Sequence, residues 1–128
     1  MKRYSKKGLE KRKKERKDFP EFFKRHIEII KSSRICCEEC GAPLKGDVSE
    51  VAHILSKSYF KSISTNDNNI LYLCSWKSER NCHAKFDNGS NEEVHEMKIF
   101  DKVSERFLEL EQEITEKISW KVTDKYIK

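Results

Sequence analysis

The 128-residue sequence predicts an α+β fold, with a small core of two strands and a short helix between N- and C-terminal helices. Two runs with strand character lie between pairs of cysteines, and segments with helical periodicity lie on both sides of them. Only 36% of the residues are hydrophobic and 38% are charged. A chain of this size and polarity needs a metal or disulfides to supplement its core.

Positive charge is concentrated at the N-terminus. Residues 1–35 contain 14 Lys and Arg against 5 Asp and Glu, whereas residues 91–128 contain 7 against 10. This asymmetry favours binding to a polyanion, chiefly nucleic acid; a solvated tail is the alternative. We therefore interpret residues 1–18 as a basic DNA-binding arm. Its candidate phosphate contacts form one basic run, Lys11, Arg12, Lys13 and Lys14.

Five segments have the pattern of regular secondary structure. Apolar residues recur at helical spacing over 19–32, which predicts a short amphipathic helix. Runs rich in β-forming residues predict strands over 48–55 and 69–74. A polar cap and a following glycine bound a predicted helix over 82–88. An apolar stripe predicts a longer helix over 91–119.

The stripe on this last helix has two interpretations. Its members are spaced by three or four residues: Val103, Phe107, Leu110, Ile114 and Ile118. We expect the stripe to pack against the core, and a dimer-forming or adaptor-binding face is the alternative. The sequence leaves the oligomeric state, monomer or homodimer, undetermined.

The cysteines predict a bound metal. The N-terminus lacks the layout of a signal peptide, and no apolar run is long enough to cross a membrane. We therefore expect a cytoplasmic protein with no membrane partner, in a reducing compartment where clustered cysteines bind metal. Four of them fall into two pairs and are the expected ligands of a structural Zn²⁺: Cys37, Cys40, Cys74 and Cys82.

The two pairs differ in spacing. Cys37 and Cys40 form a CxxC pair, and Gly41 suits the turn that follows it. Cys74 and Cys82 are separated by seven residues. Cys74 ends a predicted strand and Cys82 begins a predicted helix, so the two side chains can still converge. The fifth cysteine, Cys36, is either a buried thiol or a replacement for Cys37.

Three polar residues accompany the cysteine pairs in a characteristic order. His53 lies in VAHIL, Asn69 begins NILYLC, and His83 directly follows Cys82. This order resembles the HNH nuclease family, whose motif has CxxC, then H, then N-(I/L)-x-x-L-C, then CH. The resemblance covers about residues 37–89 and implies a ββα-metal fold, in which a hairpin and a helix hold one divalent ion.

The resemblance also implies roles for these residues. By position, His53 corresponds to the general base, Asn69 to the asparagine that orients it, and His83 to a metal ligand. Neutral imidazole can take a proton from water near neutral pH, and a divalent ion can neutralise charge on the phosphate. The expected function is therefore metal-dependent endonuclease cleavage of DNA, with Mg²⁺ or Mn²⁺ as the catalytic ion.

The residues around the motif leave two questions open. Asp87 lies four residues after His83 on the predicted helix, so it is a candidate second metal ligand or a helix cap. Many family members have a metal-binding Asp directly before the base, where this chain has Ala52. Either His83 acts with Asp87, or it acts alone with water, or the site is weakened. A zinc-containing DNA-binding module without activity is thus the alternative function.

The remaining expectations concern substrate and origin. Lys57 closely follows the expected base and is either a phosphate contact or a solvated lysine. We assign residues 19–90 to the nuclease core and residues 91–128 to a C-terminal amphipathic helix and tail. The chain also resembles nucleases of phages or mobile elements, which implies the cytoplasm of a bacterial host cell.

Overall fold

The structure is a computed structural model that describes residues 20–76 and 78–128. It confirms the α+β class in these residues, with helices around a small antiparallel sheet. In chain order the elements are α1 (residues 20–32), β1 (Val51–His53), β2 (Ile70–Tyr72), α2 (Cys82–Asn88), α3 (Asn91–Glu96), α4 (Phe100–Glu111) and α5 (Trp120–Tyr126). None of the described helices is long and apolar enough to cross a lipid bilayer.

The sheet separates two apolar layers. β1 and β2 are antiparallel, with Ala52 opposite Leu71 at the centre. Both residues are fully buried in the main core, which α2, α4 and α5 complete. Val51 and Ile70 face the other way and pack against α1. Because side chains alternate between the two faces of a strand, His53 lies on the same face as Val51.

The first predicted strand, over 48–55, is wrong at its N-terminal end. Val48–Glu50 forms a short 3-10 turn that the Asp47 side chain caps. The buried carboxylate of Glu50 accepts hydrogen bonds from the backbone N–H groups of residues 45–47. The local polar side chains therefore satisfy backbone groups that a strand partner would otherwise satisfy.

The second predicted strand is shortened in the same way. Residues Asp67–Asn69 form another 3-10 turn, and regular pairing is limited to Ile70–Tyr72. The backbone of Leu55 is bonded to the side chain of Asn69 rather than to a strand. The hairpin thus consists of two short strands, and polar side chains form hydrogen bonds with the backbone at their ends.

The flanking helices agree with the sequence in part. α1 and α2 match the predicted helices over 19–32 and 82–88, and Asn81 caps α2 as expected. The prediction of a single helix over 91–119 is wrong, because the helix is interrupted between α3 and α4. The carboxylate of Glu39 accepts hydrogen bonds from the N–H groups of Lys98 and Ile99. These bonds satisfy backbone groups at the interruption.

The apolar stripe packs inward, as expected. Val103, Phe107 and Leu110 of α4 are at most 1% exposed, within the main core. Ile114 and Ile118 lie beyond the end of α4 and pack partly buried against the same core. This arrangement removes the exposed helical face that an adaptor function would require.

Candidate metal centre and active site

Four cysteine side chains converge beside the hairpin. The Sγ atoms of Cys37, Cys40, Cys74 and Cys82 all lie within 4.8 Å of one another. The Sγ atoms of Cys40 and Cys74 are 3.7 Å apart. Tetrahedral Zn²⁺ with Zn–S bonds of about 2.3 Å places its sulfurs about 3.8 Å apart, so this group fits a metal such as zinc.

The backbone around these cysteines explains the convergence. Gly41 has φ +79°, the left-handed conformation that glycine adopts without strain, and its N–H donates to the carbonyl of Cys37. The N–H of Cys82 donates to the Sγ of Cys74 over 3.3 Å, which joins the end of the hairpin to the start of α2. Cys36 is exposed and lies outside this group. Of the two alternatives for the first ligand, the geometry therefore favours Cys37 over Cys36.

The environment of Cys74 suits a metal-binding thiolate. Burial acts to raise the pKa of this thiol, but hydrogen bonds from the Cys82 N–H and from neighbouring side chains outweigh burial and lower the pKa to about 7. A ligand of this kind loses its proton readily when a cation binds.

His53 lies at the C-terminal end of β1, against α1. Its Nε2 is 3.0 Å from the carbonyl oxygen of Ser64, so Nε2 carries the hydrogen and donates it. Its Nδ1 therefore holds a lone pair. Burial lowers the pKa of His53 to about 4; the bond to Ser64 opposes this shift, and repulsion from Lys57 and His83 adds to it. At neutral pH the imidazole is therefore uncharged, and its low pKa makes it a weak proton acceptor in this structure.

His83 and Asp87 form a pair on α2. The Nδ1 of His83 donates to the carbonyl oxygen of Ser49 over 2.6 Å, and its Nε2 lies 3.0 Å from the Oδ2 of Asp87. The hydrogen bond to Asp87 is the main reason that the pKa of His83 is raised, while burial opposes the shift. The pairing with Ser49 fixes the tautomer that presents Nε2 to a cation.

The spacing of this pair fits a small divalent ion. Two adjacent ligands of an octahedral Mg²⁺, each at about 2.1 Å, are about 3.0 Å apart. The 3.0 Å between Nε2 of His83 and Oδ2 of Asp87 is compatible with that value, and it is also the ordinary length of the hydrogen bond that the pair forms in this structure. Mg²⁺ retains several waters, so two protein ligands are a sufficient protein contribution.

One cleft joins the two histidines. It has a volume of about 620 Å³, and its walls include His53 from β1, His83 and Asp87 from α2, and Lys57 from the following loop. The charged forms of His53 and His83 are close enough to affect one another. The sequence-predicted base and metal ligands thus face a common space.

Asn69 supports the cleft from within the core. It is fully buried; its Oδ1 accepts from the N–H of Leu55 over 2.7 Å, and its Nδ2 donates to the carbonyl of Leu55 over 3.0 Å. The N–H of Ile54 also donates to the carbonyl of Asn69. These bonds hold the chain directly after His53 and so limit where its ring can lie.

Ala52 does not line the cleft. It is 0% exposed and faces the main core, on the opposite side of β1 from His53. The position of the missing Asp is therefore a core position here, and a carboxylate at residue 52 would not reach the His83–Asp87 pair without rearrangement.

The predicted DNA contacts are only partly within the described residues. Lys57 is exposed at the cleft, with its Nζ 5.0 Å from the centre of the Phe23 ring. The remaining candidates belong to the N-terminal arm and lie outside the described part of the chain, namely Lys11, Arg12, Lys13 and Lys14.

Sequence reasoning missed one cleft wall. α5 contributes Lys125 and Tyr126, although residues 120–128 were expected to be a tail. Val122 and Tyr126 are four residues apart, a helical spacing that could have indicated this helix. α1, the predicted amphipathic helix, also contributes Phe23 to the cleft.

Comparison of the chain with known protein families, with curated proteins and with solved structures finds no match.

Proposed function

We propose that this protein is a metal-dependent DNA endonuclease with an HNH-type centre. The observation that supports this function most strongly is the shared cleft, which is lined both by a neutral histidine and by a His–Asp pair from a different element. Hydrolysis of a phosphodiester requires a base and a cation site in one cleft.

In this proposal His53 is the general base. Its Nδ1 takes a proton from water as the water oxygen bonds to phosphorus, and the bond from phosphorus to the 3′ oxygen breaks. The 3′ oxygen takes a proton from solvent water, and His53 then releases its proton to solvent. The products are a 3′ hydroxyl and a 5′ phosphate. The hydrogen bond from Nε2 to Ser64 keeps Nδ1 unprotonated, and the bonds of Asn69 to Leu55 position the ring.

His83 and Asp87 are the proposed ligands of the catalytic ion. When bound there, Mg²⁺ or Mn²⁺ would neutralise charge on the phosphate and stabilise the departing 3′ oxygen. The carbonyl of Ser49 orients His83, because it accepts the hydrogen of the other ring nitrogen.

The four-cysteine group is the proposed structural zinc site. It connects the CxxC turn, the end of β2 and the start of α2, and so fixes His83 relative to the hairpin. Reduced cysteines fit the cytoplasmic location that the sequence predicts.

DNA is the proposed substrate. The net charge of +9 over residues 1–35 favours contact with the phosphate backbone, and Lys57 carries positive charge to the cleft itself. Backbone contacts of this kind carry little base information, so we expect weak sequence specificity.

A plasmid assay tests the proposal. We expect the zinc-loaded protein to nick supercoiled DNA when Mg²⁺ or Mn²⁺ is added, and not in its absence or in EDTA, with zinc content measured in every sample. Asp87→Asn should need at least about tenfold more Mg²⁺. The control Asp101→Asn makes the same change at an exposed aspartate of α4 and should resemble the unaltered protein.

The second candidate function is a DNA-binding module that does not cleave. It is favoured because, among the described residues, the only group of three or more possible metal ligands is the cysteine cluster, and the His83–Asp87 pair offers two. Salt-sensitive DNA binding without nicking in any of these conditions would establish the module and contradict the endonuclease.

A further inference from the structure

Lys125 has a defined position near the end of the chain. It belongs to α5, whose residue Tyr126 is 4% exposed and donates a hydrogen bond to the carbonyl of Ile54. The Nε2 of His95 also lies 2.9 Å and 3.1 Å from the carbonyls of Asp124 and Lys125. These contacts hold the backbone of α5 against α3 and the hairpin, so the Lys125 side chain reaches the cleft from a fixed site.

The ammonium group of Lys125 has no close anionic partner among the described residues. Its Nζ lies 4.6 Å from the centre of the Phe86 ring and 5.6 Å from that of Tyr126. The ion pairs within 4.0 Å in the described chain do not include it. Burial lowers the pKa of Lys125, and attraction to Asp87 opposes this shift. A partly buried cation in this setting can still bind an anion that enters the cleft.

Two lysines from different elements line the cleft. Lys57 acts to lower the pKa of both His53 and His83, and Lys125 lies close enough to Asp87 for their charges to interact. A DNA phosphate that enters this cleft would therefore be attracted by both lysines.

We infer that Lys125 binds a phosphate oxygen of the DNA backbone in the cleft, so that α5 belongs to the nucleic-acid site. This inference rests on the proposed function and extends it to a residue outside the HNH-like segment. It also gives residues 120–128 a function beyond packing.

A purely structural role for Lys125 makes different predictions. In that case the side chain only covers the Phe86 ring, and a neutral chain of similar length would serve as well. Lys125→Met keeps the apolar stem and removes the charge. Lys125→Arg keeps the charge. Lys121→Met removes the same charge from the same helix, at an exposed residue that does not line the cleft.

The test is a salt titration of DNA binding by fluorescence anisotropy, with a labelled duplex oligonucleotide and without divalent ions. For Lys125→Met we expect binding about tenfold weaker, the loss of one charge-assisted hydrogen bond. We also expect the slope of log K against log salt to fall by about 0.9. Lys125→Arg and Lys121→Met should keep the slope of the unaltered protein.

The outcomes separate the two proposals. An unchanged slope in Lys125→Met, or an equal fall in Lys121→Met, would overturn the phosphate contact. If the protein binds DNA with these slopes but never nicks it, the endonuclease proposal fails and the contact stands. If the unaltered protein does not bind DNA at all, both proposals fail.

Discussion

At the level of single residues, the cleft depends on polar side chains that use one atom to bond the backbone. His53 bonds Ser64 through Nε2, and His83 bonds Ser49 through Nδ1. Each ring keeps its other nitrogen for chemistry. Because the tautomers follow from fixed carbonyl partners, little reorganisation is needed when a phosphate enters.

Ala52 provides a test of which side of β1 carries the site. We expect Ala52→Asp to lower the free energy of unfolding by several kcal/mol, because it buries an unpaired carboxylate in the main core. It should not increase nicking. Thermal unfolding measures the loss, with Val48→Asp as a control at a side chain that is 51% exposed.

The opposite result would change the account of the cation site. An Ala52→Asp variant that is as stable as the unaltered protein and nicks faster would mean that residue 52 can reach the divalent ion. β1 would then have a different register or twist near His53.

The motif order predicted that His53 and His83 lie near each other, and both line one cleft. Their catalytic and metal-binding roles stay predictions. The motif order could not predict that Asn69 bonds Leu55, or that Lys125 enters the cleft, because these contacts join residues 14 or more positions apart. Contacts of that range depend on the packing of the whole chain.

At the level of elements, the cysteine group connects the hairpin to α2. It brings Cys37, which follows α1, to Cys82 at the start of α2, and the N–H of His83 donates to the carbonyl of Cys74. A metal bound by these cysteines would therefore help to position the His83–Asp87 pair, together with the apolar core.

Removal of the metal should unfold the protein. Structural zinc contributes about 10 kcal/mol or more, which is comparable to the whole stability of a small domain. We expect Cys82→Ser to lose zinc and its cooperative thermal transition, whereas Cys36→Ser should keep one zinc per chain. Metal analysis and circular dichroism measure both. Full zinc content and unchanged melting in Cys82→Ser would contradict a four-cysteine site.

The ends of helices and strands were predicted accurately where they depend on residues nearby in the sequence. α2 matches its predicted bounds because Asn81 and Gly89 are local signals at its two ends. The break between α3 and α4 depends on Glu39, about sixty residues earlier in the chain, so local periodicity cannot reveal it. The strands were predicted too long for a similar reason. At their ends, hydrogen bonds between side chains and the backbone replace pairing between strands.

At the level of the whole molecule, four separate parts of the chain line the cleft. α1 supplies Phe23, the hairpin supplies His53, α2 supplies His83 and Asp87, and α5 supplies Lys125 and Tyr126. The basic arm directly precedes α1.

The central claim is that His53 acts as a base on a phosphate in this cleft. The most direct test is the nicking rate of His53→Gln, which keeps a side-chain N–H for Ser64 but has no group that can take a proton. We expect the rate to fall at least about 100-fold, with zinc content and melting temperature unchanged. Ser56→Ala, at an exposed position of the same cleft, should keep the full rate. Undiminished nicking by His53→Gln would contradict the claim.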